Sequence, residues 1–146
     1  MDLTKEYPRS PKERLAGIVS LARTIDKAKA YKSGTLGEYD YDCPHDRPVF
    51  DFLGTDGETF ANVVAQSHSD DEIVAWLRGN TKLAKKSQAE LDAFNADRLH
   101  WHPQPGTPSA GYFESMRTAL QRPDIETWFD LLDLDEKRAV LEPMHV

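Results

Sequence analysis

The feature that most constrains this chain is a recurring helix-start signal. Ser10, Thr55, Ser69 and Ser87 are each followed three residues later by a glutamate: Glu13, Glu58, Glu72 and Glu90. In such a box the hydroxyl accepts from a first-turn amide while the glutamate reaches back, satisfying donors that a new helix leaves orphaned. Pro11 reinforces the first box, because its fixed φ suits the first helical position. Stripes at helical spacing follow each start. They are Leu15, Ile18, Val19, Ala22 and Ile25; then Phe60, Val63 and Val64; then Ile73, Val74, Trp76 and Leu77; then Leu91, Phe94 and Leu99. Tyr112, Phe113, Met116, Ala119 and Leu120 form another stripe. Asp124 is expected to open a last helix with Ile125, Trp128, Phe129 and Leu132, before an acidic tail that ends at Pro143.

Strand-like alternation is confined to Tyr39, Tyr41 and Cys43, with no partner segment, so it reads as an extended piece packed on helices. Val49, Phe50, Phe52 and Leu53 read as a short apolar element entering the core. Residues 103–111, rich in proline and glycine, read as the mobile connector. The expected fold is all-α: an orthogonal bundle of about six helices. One long N-terminal helix runs from Pro11 to about Lys32, ended by Gly34, and a long polar loop follows over 33–48.

A length of 146 residues suits a single helical domain, 1–146, with one core. No apolar run is long enough for a membrane span, and the first thirty residues lack the pattern of a signal peptide. One cysteine makes no internal disulfide, so a reducing, cytoplasmic setting is expected. The net charge of −7 is uneven: the balance is +4 over 1–32, −8 over 33–80, +2 over 81–122 and −5 over 123–146. No segment is basic enough to suggest nucleic acid as a partner.

The functional expectation centres on residues 23–54. Continuing the apolar stripe of the first helix brings Asp26 and Lys29 inside it, with Arg23 at its margin and Lys27 further out. Buried charges must be paired or hydrated. Arg23, Asp26, Lys29, Tyr39, Tyr41, Cys43, His45 and Asp46 therefore form the candidate site. They are either the wall of a polar pocket for a small anionic ligand, or a structural ionic lock between the helix and loop carboxylates such as Asp46. The two readings stay open at this level.

Other chemistries fit less well. Cys43 and His45, with His100 and His102, are zinc-type ligands, but each pair is separated by one residue and nothing in the sequence joins them. Asp40, Asp42 and Asp46 lack the turn glycine and terminal glutamate of a calcium loop. Cys43 as a nucleophile would need a cation such as Arg23, Lys27 or Lys29 beside it. No metal and no cofactor are expected. Trp76 and Trp128 read as core, whereas Trp101 reads as exposed. The aromatics from Trp101 to Tyr112, with the acidic tail, give the rival expectation: a protein–protein interaction module, a homodimer being one form of it.

The strings DLTKEYPRSP, LARTIDKAKA, GTLGEYDYDCPHD with VFDFLG, DDEIVAWL and TWFDLLDLDE span nearly the whole chain. In them the sequence resembles an uncharacterised bacterial family, the domain of unknown function numbered five-oh-six-nine. The resemblance implies a bacterial origin and a free-standing small domain. It transfers no catalytic residue.

Overall fold

The computed structural model describes residues 1–142; Pro143, expected to end the tail, lies outside them. Seven α-helices and no strands occur among the described residues. They are α1 Leu21–Ser33, α2 Arg47–Leu53, α3 Gly57–Gln66, α4 Asp70–Asn80, α5 Gln88–Leu99, α6 Pro108–Ala119 and α7 Trp128–Asp135, with a 3-10 turn at Leu83–Lys85. The chain divides into two compact units, Met1–Asn95 and Ala96–Val146.

The first unit is built around α1, which packs chiefly on α3. Leu21, Ile25 and Ala28 recur at helical spacing and meet Val49, Phe50 and Leu53 of α2. Phe60, Ala61 and Val64 of α3, and Ile73 and Leu77 of α4, complete the core. Gly34 ends α1 as expected, at φ 69, where its own amide and that of Thr35 return to the Tyr31 and Ala30 carbonyls.

The long N-terminal helix is not formed. Residues 11–20 are irregular, and α1 begins at Leu21. Ala16 and Gly17 are left-handed (φ 53 and 79), as is Ser20 (φ 71), so the helix path breaks twice. The reason is tertiary. A continuous helix would place Arg9 about 25 Å along the axis from Asp26, yet the Arg9 amide donates to Asp26 at 2.8 Å. The lead therefore folds back along α1. Asn95 of α5 holds the break: its side-chain carbonyl accepts from the Val19 amide at 2.9 Å, and its NH2 donates to the Gly17 carbonyl at 2.9 Å.

Other boundaries also move. The cap of α3 is Asp56, one residue after Thr55, accepting from the Thr59 amide at 2.8 Å. Ser87 and Glu90 form the reciprocal box as expected, at 3.1 and 3.0 Å. The apolar element at 49–53 is helical. The connector read over 103–111 is helical from Pro108, because Thr107 caps α6 and Pro108 fits its first turn. The last helix is capped by Thr127, three residues beyond Asp124.

The second unit has its own small core: Phe113, Ile125, Trp128 and Leu131. Phe113 meets Trp128 edge to face at 5.0 Å. Trp101, expected to be exposed, is half-buried: it packs 5.8 Å from Trp128, and Arg98 stacks on it at 4.6 Å.

Asn95→Ala removes both bonds that hold the break before α1 and leaves a buried amide without its acceptor. The expected loss is about 2 kcal/mol in urea unfolding; a loss under about 0.5 kcal/mol, the range of a neutral surface change, would show that Asn95 does not hold it.

Candidate functional site

Every residue of α1 from Leu21 to Ala28 is buried, charged ones included. The helix has no outward face over two turns, so the assumption of one apolar stripe fails there. Lys27, placed outward by that stripe, is buried, whereas Lys29 is only half-buried. The charges are absorbed by two ionic clusters.

In the first, Arg9 clasps two carboxylates. Its Nε and Nη2 lie 3.1 Å from the two Asp26 oxygens, and its Nη1 lies 2.6 Å from Asp70 at the start of α4. Asp26 is 3% exposed on its side chain, so it carries no charge cost only because Arg9 supplies both amide and guanidinium. Hydrogen bonds from Arg9, aided by the charges of Arg9 and Lys29, hold Asp70 below the usual carboxylate range against its desolvation. The Asp70 hydrogen bond in turn raises the Arg9 guanidinium above its ordinary value. Arg23, also buried, donates to the Arg9 carbonyl at 3.2 Å and lies 5.7 Å from the Tyr39 ring.

In the second cluster, Lys27 Nζ reaches Asp46 Oδ1 and Oδ2 at 3.0 and 2.9 Å, both side chains almost fully enclosed. Cys43 Sγ lies 3.4 Å from the same ammonium and 3.5 Å from Asp46 Oδ2. Tyr41 lies within reach of the Asp46 charge. Its ring stacks on Tyr31 at 4.8 Å, and its hydroxyl donates to the Gly57 carbonyl at 2.7 Å. Burial first, then the charges of Asp46, Asp42 and Glu58, push the Tyr41 phenol up. Tyr31 in turn donates to Glu58.

Of the eight candidate residues, the structure thus brings Tyr41, Cys43 and Asp46 into one group, around Lys27. Arg23 and Asp26 meet in the other, around Arg9, with Tyr39 under Arg23. Lys29 enters only through its charge on Asp70. His45 is half-buried in the turn before Asp46. Arg9 and Lys27 are the members that sequence reasoning missed. Gly17, inside the expected helix, was the available signal that the lead turns back.

A concave surface of a different kind lies in the second unit. It is an open cleft of about 630 Å³ lined by His100, His102, Pro103, Pro105, Ala110 and Phe113, with Glu114, Arg117, Glu126 and Thr127. The chain after α5 supplies the imidazoles, α6 supplies Ala110, Phe113, Glu114 and Arg117, and the α7 cap supplies Glu126 and Thr127. His100 Nδ1 lies 2.9 Å from the Ala96 carbonyl, and His102 Nδ1 3.1 Å from the His100 carbonyl. A carbonyl only accepts, so Nδ1 is the donor in each ring, which leaves Nε2 as the ring nitrogen not engaged by these carbonyls. Arg117 is pinned: Nη1 donates to the Ile125 carbonyl at 2.9 Å, Nη2 pairs with Glu114 at 2.5 Å, and the guanidinium lies 5.8 Å from the Phe113 ring. Among the described residues, no three of His, Cys, Asp or Glu converge as a metal site would need.

Residues 5–138 match the family described as Domain of unknown function (DUF5069). The chain belongs to the DUF5069 family. No curated protein gives a significant match. Membership therefore assigns no activity to the clusters or the cleft, and what this DUF5069 protein does rests on their chemistry. No helix among the described residues is long and apolar enough to cross a membrane.

Asp46→Ala leaves the Lys27 ammonium enclosed without a counter-charge and is expected to cost about 3–5 kcal/mol, read by urea unfolding. Replacing both partners, Lys27→Met with Asp46→Leu, should recover most of that loss. A double variant as unstable as Asp46→Ala would contradict a purely structural pair.

Proposed function

We propose that this protein is a binding protein for a small ligand with an apolar body and a polar head, and that the ligand enters the cleft of the second unit. The charges on α1 and in the 34–46 loop act as the ionic lock and carry the scaffold. One observation carries this reading. The buried α1 charges Arg23, Asp26 and Lys27 are met by protein partners at hydrogen-bond distance, whereas the cleft offers about 630 Å³ bounded by Phe113, Ala110, Pro103 and Pro105. That volume falls within the range of small-molecule sites, and an apolar floor with a few fixed polar groups is their usual construction.

The polar groups have distinct parts in this proposal. Arg117 is pre-organised by Glu114 and the Ile125 carbonyl, so it holds the shape of the floor. The Nε2 atoms of His100 and His102, with the exposed Glu126 carboxylate, are the groups left to recognise a polar head. Both signs of charge line the cleft, so shape and apolar contact supply most of the affinity.

A thermal-shift screen with small aromatic carboxylates and amines tests this on wild type and on Ala110→Trp, which fills the cleft. A compound at about 100 times its Kd should raise the wild-type Tm by roughly 5–10 °C and leave Ala110→Trp unmoved. Compounds that shift both proteins equally, or a panel that shifts neither, would overturn the assignment.

A further inference from the structure

We propose that Lys27 and Cys43 join through a nitrogen–sulfur crosslink when a peroxide oxidises the thiol. The two atoms already stand in contact, with Nζ 3.4 Å from Sγ. That separation is typical of reacting atoms held ready for bond formation. Lys27 is fixed there by both oxygens of Asp46, and its side chain is 4% exposed. Cys43 is a free thiol and only half-buried as a residue, so it is not part of the sealed core. Two independent features then select the lysine. The chain has one cysteine, so no second thiol within it can resolve an oxidised sulfur. And Asp46 touches both reacting groups, 2.9 Å from Nζ and 3.5 Å from Sγ, placing a proton acceptor between them.

The chemistry balances in two steps. The Cys43 thiolate attacks a peroxide oxygen, so an S–O bond forms and the O–O bond breaks. Two electrons pass from sulfur to peroxide, the thiol proton, given up to Asp46, is returned to the departing hydroxide so that it leaves as water, and Cys43 becomes a sulfenic acid. The Lys27 amine, its proton passed to Asp46 and on to solvent, then attacks the sulfur. The N–S bond forms, the S–OH bond breaks, and the departing hydroxide takes a proton from the attacking nitrogen and leaves as a second water. The net change in the protein is the loss of two hydrogens. A dithiol reverses it, returning thiol and amine as it is oxidised to a disulfide. The crosslink ties α1 to the loop that precedes α2 and removes the ammonium charge facing Asp46.

The test is the intact mass of the folded protein after brief exposure to hydrogen peroxide, followed by peptide mapping. The expected product has lost two hydrogens, contains one peptide pair joined through Lys27 and Cys43, and reverts with dithiothreitol. Lys27→Arg keeps the cation but should gain oxygen on Cys43 and lose the joined pair. Wild type that gains oxygen on Cys43, or forms a disulfide between chains, with no Lys27–Cys43 pair, would overturn the proposal. That reading needs no variant to fold.

Discussion

The Asp26 carboxylate, enclosed on α1 and answered by Arg9, is the contact on which the rest of the first unit depends. A buried carboxylate without a partner is strongly disfavoured. Satisfying it brings Arg9 to α1, and Arg9 reaches α1 only because the lead turns back between Ala16 and Ser20. The same guanidinium then takes Asp70, so α4 is tied to the lead by its first turn. One arginine thereby links three parts of the chain that lie far apart in sequence. Lys27 and Asp46 repeat the device for the loop before α2.

Much of the fold was legible because its causes are local. Ser69 and Ser87 cap helices where the sequence places them, and Gly34 ends α1, since side-chain oxygens and a left-handed glycine act within a few residues. The long first helix was not legible. Ser10, Pro11 and Glu13 make a sound local start, but Asn95, Arg9 and Asp26 decide the outcome across long sequence separations. The all-α class survives that error, because the break shortens one helix and creates no strand.

The candidate residues show the same division. That Asp26 turns inward followed from helical spacing, and Asp46 as a partner for α1 followed from the need to pair a buried charge. Which cation meets which acid did not follow, because the spacing argument gave α1 an outward face that it lacks over Leu21 to Ala28. Lys27 and Arg9 stood outside the stripe or outside the helix, so they were missed. The cleft was invisible for another reason: His100, His102, Arg117 and Glu126 come from separate segments, and only the packing of α6 and α7 gathers them. Membership of the DUF5069 family brings no functional label to these residues, which leaves their geometry as the basis of assignment.

Buried acids on α1 and the loop hold the fold through specific cations. The most direct measurement is a double-mutant cycle in urea on Arg9→Ala and Asp26→Ala. The expected coupling is above about 2 kcal/mol, since each single variant breaks the same buried charge pair. Single effects that add to within about 0.5 kcal/mol would contradict it.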